Sequence, residues 1–328
     1  MKILIAGLGS IGRRHLRHLK ALGADDILLY RTHQSTLPDE ELTGLPVETD
    51  LQAALAHKPD AVIVSNPTAM HLDVAIPAAE AGCHILLEKP VSDSLDRLNM
   101  LKDAAAASGS RILVGFQFRY HPGLMKIAEV LAEGLVGRPL SYRAHWGEYL
   151  PGWHPWEDYR KGYSARKDLG GGVILTLTHV LDYVHWLLGD LESIWAFNGK
   201  LSDLELDVED TAEIGMKLNN GVIGSVHLNY TQQPPRHQLE IVCSGGTIRW
   251  DHAGNGLQVF KAETGDWQEY PLPVGFERDD LFKAQMAHFL QVAAGEEMPR
   301  CSLEDGITAL ELALAAHQSA REARLVKI

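Results

Sequence analysis

The stretch Lys2–Gly23, with the sequence KILIAGLGSIGRRHLRHLKALG, decides the fold of the first part of the chain. A short apolar run leads into a Gly-x-Gly-x-x-Gly motif, and a pattern with helical periodicity follows. A strand that turns through such glycines into a helix is the context in which this motif binds the pyrophosphate of a dinucleotide. The residues expected to contact it are Gly7, Gly9, Ser10, Ile11 and Gly12.

The alternation of strand and helix continues to residue 121. Apolar runs at Asp26–Arg31, Asp60–Asn66, His84–Pro90 and Arg111–Phe116 are separated by helical patterns. Strands that are apolar throughout are typical of a parallel sheet covered on both faces. The sequence therefore predicts an α/β fold, with a Rossmann domain and its doubly wound parallel sheet over residues 1–121.

The pattern changes from residue 122 onward. Apolar and polar residues alternate in stretches separated by Gly, Asn and Pro, which is typical of antiparallel strands. Helical patterns cover Val173–Leu188 and Ser302–Arg324. We therefore expect residues 122–328 to form an α+β domain with a largely antiparallel open sheet.

The composition excludes several classes of protein. The chain has 328 residues, of which 45% are hydrophobic and 22% are charged, as in folded globular proteins. Its 43 acidic and 30 basic residues give a formal charge of -13. A negative charge is the wrong sign for binding nucleic acid or an anionic membrane. The expected partner is therefore a small molecule.

The cellular compartment is predicted from cysteines and hydropathy. The three cysteines are widely spaced and form no zinc-binding pattern, which favours a reducing compartment. The N-terminal apolar run is followed by RRHLRHLK instead of a cleavage site, and no run approaches the roughly 20 apolar residues of a membrane span. We expect a cytoplasmic protein.

The end of the second strand indicates which dinucleotide binds. An Asp or Glu is usual there to bind the ribose of NAD, but this chain has Tyr30-Arg31-Thr32. Arg31 is able to pair with the 2'-phosphate of NADP, and Thr32 to donate to it. NADP(H) is favoured and NAD(H) stays possible, because Arg31 can instead stack on adenine or face solvent.

Two further strands end in polar residues at the carboxyl edge of the sheet, where ligands of this architecture bind. Asn66, Pro67 and His71 follow one strand, and Glu88 and Lys89 follow the next. All five are candidates to border the nicotinamide. Glu88 can alternatively serve as a structural partner of its own loop.

The segments GLGSIG, NPTAMH, EKP, GFQFRYHP and LGGGVILTLTHVLDYVHWLLG, in this order, resemble the Gfo/Idh/MocA family of oxidoreductases. The resemblance spans most of the chain. It implies a Rossmann domain followed by an α+β domain that often supports oligomers, here a dimer or tetramer. It also implies hydride transfer between NAD(P) and a secondary alcohol or ketone of a sugar or cyclitol, with Lys89 and His179 as catalytic residues.

The chemistry of these two side chains agrees with the resemblance. Oxidation of an alcohol needs a group that accepts the hydroxyl proton, and imidazole is suited to that task near neutral pH. His179 is the expected acid and base, and Lys89 is expected to bind the substrate oxygen and polarise it. The family usually has an aspartate four residues before the histidine, where this chain has Leu175. Thr176 and Asp182 are the polar residues expected to contact substrate nearby, and Asp182 is a candidate to orient the imidazole or else a capping residue.

A segment rich in aromatic and charged residues, from Trp153 to Lys167, is the candidate for substrate recognition. Aromatic faces stack on sugar rings, and charged groups hydrogen-bond to hydroxyls. Trp156, Arg160 and Tyr163 are the expected contacts, joined by Arg119 of the GFQFRYHP segment. The alternative is that the tryptophans seal a domain interface and that the charges are solvated.

Other functions and sites are weighed against this interpretation. A reductase of a non-sugar carbonyl compound, or a dinucleotide-binding sensor without catalysis, would share the same fold. No metal site is expected, because no three ligands have a plausible spacing. His15, His18 and His33 are interpreted as solvated helix or loop residues.

Overall fold

The computed structural model describes residues 1–32, 37, 40–252, 254 and 256–328, so His33 lies outside the described residues. The chain divides into two compact units. The first unit comprises Met1–Gln117, Asp168–Gly170 and Arg278–Leu310. The second unit comprises Phe118–Lys167, Gly171–Glu277 and Glu311–Ile328.

The first unit is built around a parallel sheet of six strands. Its strands and helices, in chain order, are β1 (Ile3–Ala6), α1 (Ser10–Ala21), β2 (Ile27–Tyr30), β3 (Val47–Glu48), α2 (Leu51–Ala56), β4 (Ala61–Val64), α3 (His71–Glu80), β5 (His84–Leu87), α4 (Leu98–Ser108) and β6 (Ile112–Val114). The strand order β3-β2-β1-β4-β5-β6 is that of a dinucleotide-binding Rossmann fold. Every residue of β1 and β4 is buried, as expected for central strands covered on both faces. The predicted α/β class is confirmed.

The second unit contains a sheet of nine strands. Its elements are α5 (Pro122–Ala132), β7 (Pro139–Gly147), α6 (Val173–Thr176), α7 (His179–Leu188), β8 (Leu191–Gly199), β9 (Thr211–Leu218), β10 (Ile223–Asn229), β11 (Arg236–Cys243), β12 (Gly246–Asp251), β13 (Gly256–Lys261), β14 (Asp266–Tyr270) and β15 (Val326–Lys327). The order is β14-β13-β12-β11-β7-β10-β9-β8-β15, antiparallel except for the parallel pair of β7 and β10. Buried and more exposed residues alternate along β9 and β11, so one face of the sheet carries the core and the other is open.

Two helices near the C-terminus change the predicted domain division. Helix α8 (Arg278–Ala294) belongs to the first unit, and helix α9 (Leu303–Glu322) is divided between the units at Leu310. The prediction assigned all of residues 122–328 to the second domain. The return of α8 is explained by its packing on α1, where Arg14 lies over the ring of Phe282 at 4.5 Å and its Nε lies 3.1 Å from Asp279 Oδ1.

Within the described parts of the chain, no single helix has both the length and the apolar character that crossing a membrane requires. A bent pair of short helices, Lys167–Thr176 with His179–Leu188, meets the requirement only when taken together, by length and composition.

Candidate active site

The glycine motif forms the tight turn between β1 and α1. Gly7 has a φ of +94°, and a Cβ on it would lie 2.4 Å from the backbone nitrogen of Asn66. A Cβ on Gly12 would lie 2.0 Å from the carbonyl oxygen of Gly7. Both positions therefore require glycine, one for conformation and both for close packing.

The space above this turn is open. A Cβ on Gly9 would meet no heavy atom of the described residues within 4 Å. Gly9 is the N-cap of α1, and the first turn carries no acidic side chain. Ser10 and Ile11 follow at the helix N-terminus, where backbone amides attract a phosphate. These residues fit a dinucleotide pyrophosphate.

Two residues that sequence reasoning missed hold the glycine turn in place. Ser65 donates from Oγ to the carbonyl oxygens of Ala6 (3.1 Å) and Gly7 (2.9 Å). The buried guanidinium of Arg13 donates from Nε to the carbonyl oxygen of Leu8 at 3.0 Å. The adjacency of Arg13 to the motif was visible in the sequence, but its inward orientation was not.

Arg31 and Thr32 follow the end of β2, as predicted. The Arg31 side chain is only 8% exposed, and its backbone N–H donates to the carbonyl oxygen of Glu48 at 3.1 Å. Thr32 is exposed. The sequence had left open that the Arg31 side chain faces solvent. The structure excludes this alternative, because the side chain is buried.

The loops after β4 and β5 are joined by His71. Its Nε2 lies 3.0 Å from the carbonyl oxygen of Asn66, and its Nδ1 lies 2.9 Å from that of Pro90. Burial lowers the pKa of His71, opposed by the charge of Glu88 and by both carbonyls. Asn66 donates from Nδ2 to Met70 at 2.8 Å, and Pro67 precedes the short 3-10 turn Thr68–Met70. A neutral imidazole carries one N–H, so His71 donates to one of these two carbonyls and lies against the other, and its direct contact with a cofactor stays a prediction.

Glu88 and Lys89 follow β5 directly. One carboxylate oxygen of Glu88 lies 2.8 Å from Nε2 of His15, and the other accepts the backbone N–H of Lys89 at 3.2 Å. Burial acts to raise the pKa of Glu88, but the hydrogen bond and charge of His15, followed by the charge of Lys89, lower it below its usual value. Glu88 is thus a charged structural partner of its loop, the alternative that the sequence had left open.

His15 and His18 differ from their interpretation as solvated helix residues. The side chain of His15 is 0% exposed and that of His18 is 8% exposed. Both lie on the face of α1 that packs into the first unit, His15 against Glu88 and His18 with its Nε2 3.3 Å from Asp279 of α8. The interpretation was wrong because both acidic partners come from other elements.

His179 is the first residue of α7 and is buried among aromatic rings. Its ring centroid lies 5.2 Å from that of Phe118 and 5.6 Å from that of Trp146. The ring of Trp146 is in turn stacked on His237 at 4.1 Å. An apolar wall of this kind holds an imidazole in one orientation.

One turn further along α7, Asp182 forms a buried ion pair with Arg119. Arg119 donates to both carboxylate oxygens, with Nε–O distances of 3.1 Å and an Nη2–O distance of 2.7 Å. The two side chains are 3% and 1% exposed, and the guanidinium lies 5.8 Å from the ring centroid of Trp186. Arg119 and Asp182 thus engage each other, and their contact with a substrate stays a prediction.

Thr176 ends α6 and is buried beside Tyr230. Burial raises the pKa of Tyr230 well above its usual value, opposed by hydrogen bonds with the Thr176 hydroxyl and with the carbonyl of Ser164. Glu209 lies at the other end of α6, where its Oε1 accepts the N–H of Ile174 at 3.0 Å. Sequence reasoning missed Glu209, since nothing in DVEDTA marks it as buried.

The aromatic and charged segment consists of 3-10 turns fastened at both ends. Leu150 donates to the carbonyl of Tyr230 at 2.9 Å, and Val173 donates to that of Glu209 at 3.0 Å. Arg160 pairs with Asp158 at 2.7 Å and with Glu205 at 2.6 Å. Trp156 is 71% exposed, and Tyr163 begins a 3-10 turn that ends at Ala165. The two acids already engage Arg160, which favours the solvated alternative for this side chain.

Within the first unit, the candidate cofactor residues follow β1, β2, β4 and β5, which the sheet places side by side. Within the second unit, Arg119, Asp182 and His179 share one buried cluster around α7. Among the residues that the structure describes, no three His, Cys, Asp or Glu side chains form a group that could hold a metal ion.

Replacing Glu209 by glutamine is expected to stabilise the protein at alkaline pH. Burial raises the pKa of Glu209 from 4.5 to about 7. The folded state therefore binds more protons than the unfolded state in this range, and stability falls as the pH rises through it. At about 1.4 kcal/mol per tenfold change in proton affinity, the cost at pH 8 is about 3 kcal/mol.

Glutamine keeps the acceptor for the N–H of Ile174 without the buried charge. Urea unfolding should show a much larger gain in the free energy of unfolding at pH 8 than at pH 5, where most of the cost has not yet appeared. His317, whose Nε2 lies 3.7 Å from Glu209 Oε1, titrates with the opposite sign because burial lowers its pKa to about 4. His317 is present in both the unmodified protein and Glu209→Gln. The difference between their free energies of unfolding at each pH therefore reports the contribution of Glu209. The control is Glu205→Gln, which replaces an exposed carboxylate. An equal gain in the free energy of unfolding in this control would contradict the role given to the buried charge of Glu209.

The strand order and the glycine turn are those of a dinucleotide-binding protein. Comparison with known proteins identifies the family to which the chain belongs. Residues 1–116 match the oxidoreductase family with an NAD-binding Rossmann fold, and residues 124–249 match the GFO/IDH/MocA C-terminal domain. The chain belongs to the Gfo/Idh/MocA family of oxidoreductases, which confirms the resemblance found in the sequence.

The named proteins that this chain resembles include dehydrogenases and reductases. The chain is 28% identical to the myo-inositol 2-dehydrogenase of Thermotoga maritima, covering 100% of this chain and 98% of that protein. It is 26% identical to the 1,5-anhydro-D-fructose reductase of Ensifer adhaerens, covering 82% and 80%. The solved structure of a levoglucosan dehydrogenase in complex with NADH and levoglucosan has a TM-score of 0.88 at 20% identity, covering 100% and 99%, and shows the same fold.

Proposed function

We propose that the protein oxidises a secondary alcohol of a cyclitol or sugar to the ketone, or catalyses the reverse reduction. The observation that carries the proposal is Lys89 at the carboxyl end of β5, beside β4 and in the same sheet as the glycine turn. The myo-inositol, anhydrofructose and levoglucosan enzymes among the relatives support this substrate class.

The residues divide the chemistry between them. The nicotinamide, when bound, exchanges a hydride with the carbinol carbon of the substrate. Lys89 donates a hydrogen bond to the substrate oxygen and stabilises its developing negative charge. His179 accepts the hydroxyl proton during oxidation and returns it during reduction. The alcohol thus loses one hydride and one proton, which balances the reaction.

A screen of alcohol substrates tests the proposal. Purified protein is incubated with NAD or NADP and myo-inositol, other cyclitols, levoglucosan or aldoses, and formation of the reduced nicotinamide is followed by absorbance. Turnover of a polyol supports the proposal. Turnover confined to non-sugar carbonyl compounds, assayed in reverse with NADH or NADPH, would favour the second enzymatic function. Dinucleotide binding without any turnover would favour the sensor.

We further propose that NADP(H) is preferred, with NAD(H) as the alternative. Support comes from Arg31 at the end of β2 and from the lack of an acidic residue in Tyr30-Arg31-Thr32. NADH and NAD are bound in several structures of the same fold, which favours the alternative.

Thermal-shift titrations with NADP and NAD decide between the two dinucleotides. Arg31→Met is expected to weaken NADP binding by about tenfold or more and to change NAD binding little, because it removes the charge-assisted bond to the 2'-phosphate. Arg17→Met, on the exposed part of α1, is the control. An equal loss for both dinucleotides would mean that Arg31 does not select between them.

We also propose a cytoplasmic homo-oligomer, either a dimer or a tetramer. On the open face of the second sheet, Phe197 (62% exposed) pairs with Glu213 and Ile223 (58% exposed) pairs with Lys217, which lie on the same side of β9. Exposed apolar residues on one face favour association. The three cysteines are buried free thiols, as a reducing compartment favours. Size-exclusion chromatography with light-scattering detection measures the molar mass of the protein. A monomer at micromolar protein concentration would contradict the proposed oligomer.

A further inference from the structure

We propose that His15 is a positioning residue for Lys89. It holds the carboxylate of Glu88, and Glu88 in turn holds the backbone N–H of Lys89 and places a negative charge near its ammonium group. Through this chain, the helix that follows the glycine motif determines where the lysine lies. The inference rests on the proposed function, since it gives His15 a role in the reaction of Lys89.

The geometry of the chain is specific. His15 Nε2 lies 2.8 Å from Glu88 Oε1, and the other carboxylate oxygen, Oε2, accepts the N–H of Lys89 at 3.2 Å. Since a carboxylate only accepts hydrogen bonds, the proton of the imidazole faces Glu88. The carboxylate therefore connects the side chain of His15 to the backbone of Lys89.

The carboxylate of Glu88 has little room to move. A Cβ on Gly115 would lie 2.9 Å from Oε2, so the side chain fills the space between this glycine and His15. The backbone is fixed as well, because Glu88 N–H donates to the carbonyl of Val64 at 3.0 Å. With His15 0% exposed, loss of its hydrogen bond would leave Oε1 of the buried carboxylate without this donor, while Oε2 would keep the N–H of Lys89.

The residue after Lys89 is held from another side. The carbonyl oxygen of Pro90 lies 2.9 Å from His71 Nδ1. His71 begins α3, whereas His15 belongs to α1. The lysine is thus flanked by two fixed groups, and His15 supplies the contact that comes from the dinucleotide-binding helix.

The charges around Glu88 determine the effect of removing His15. The groups that face Glu88 are His15 and Arg14 from α1, Lys89 from the end of β5, and His71 from α3. Burial acts to raise the pKa of Glu88, and His15 is the largest influence that lowers it. Without His15 the carboxylate takes up a proton at higher pH, and the ammonium of Lys89 loses a neighbouring negative charge.

The variant His15→Phe tests the proposal, because phenylalanine retains a planar ring and cannot form the hydrogen bond. We expect kcat at pH 7 to fall by about tenfold or more, and the acidic limb of the pH profile of kcat/KM to move upward by about one pH unit. The KM for the dinucleotide should change less than about twofold. His15→Gln, whose amide can donate to Glu88, should recover most of kcat.

The control is His18→Phe, on the same helix and also buried, with Asp279 of α8 as its partner. It should leave the pH profile unchanged. In a Glu88→Ala background, His15→Phe should have no further effect on kcat, because the carboxylate through which it acts is absent. This comparison also applies if His15→Phe alone is unstable.

A measurement that does not need turnover separates this proposal from the proposed function. Labelling of Lys89 by an amine-reactive reagent, quantified by mass spectrometry, should be severalfold faster in His15→Phe than in the unmodified protein or His18→Phe. Unchanged labelling together with an unchanged pH profile would overturn the role of His15. A lower kcat without a moved profile, not recovered by glutamine, would also overturn it. Changed labelling in a protein that oxidises no alcohol would retain the positioning role and refute the proposed function.

Discussion

Lys89→Met is expected to lower kcat by at least about a hundredfold while leaving the affinity for the dinucleotide nearly unchanged. Methionine has a similar length but carries no charge and no donor, so the substrate oxygen loses its stabilising partner. The loss should appear in kcat and kcat/KM together, since the interaction strengthens as negative charge develops on the oxygen. Steady-state kinetics with the best polyol from the screen, combined with thermal-shift titration of the dinucleotide, measure both quantities.

A matched variant makes this result interpretable. Lys102→Met removes a lysine from α4 of the same unit, away from the end of β5. It should retain the kcat of the unmodified protein. If Lys89→Met kept kcat within about threefold, the assignment of the lysine to the reaction would be wrong. If it lost dinucleotide binding instead, Lys89 would belong to the cofactor site alone.

Breaking the ion pair between Arg119 and Asp182 should produce the largest loss of stability. Replacing either Arg119 by methionine or Asp182 by asparagine should lower the free energy of unfolding by about 3–5 kcal/mol, because the remaining charge stays buried after losing its ion-pair partner. The pair is almost fully inaccessible, so water cannot replace the lost partner. Urea unfolding followed by circular dichroism measures the change.

The double variant Arg119→Met with Asp182→Leu should recover most of this stability, since two apolar side chains leave no buried charge. Arg160→Met, at an exposed pair with Asp158, should have a small effect. A double variant as unstable as the single ones would show that packing against Trp186, and not charge, dominates at this position.

The fold could be predicted because its signals are local. Continuous apolar runs, glycines at fixed spacing and alternating stretches identify the strands and helices of both units. The return of α8 to the first unit was not predictable, because it depends on contacts of Asp279 and Phe282 with a helix more than two hundred residues earlier.

The candidate site could likewise be predicted only in part. The residues after β1, β2, β4 and β5 could be placed at one sheet edge from topology alone, and the structure places them there. Partners distant in sequence could not be identified: Arg119 lies 63 residues from Asp182, and His15 lies 73 residues from Glu88. A charged residue looks the same in the sequence whether it faces solvent or a buried partner.

The stretch Pro151–Gly172, which contains the aromatic and charged segment Trp153–Lys167, is fastened at both ends, and this has a consequence for how its length can vary. Leu150 is tied to Tyr230 beside the last residue of β10, and Val173 is tied to Glu209 just before β9, so both attachment points belong to the frame of the sheet. Between them the chain forms short turns, and doubling the length of such a loop costs only about 0.6 kcal/mol. The second half of the segment is fixed further, because Ser164 and Ala165 are buried and the hydroxyl of Tyr230 donates to the carbonyl of Ser164. The first half carries the exposed Trp156, so its length can vary in evolution while both attachment points, and the sheet to which they belong, stay in place.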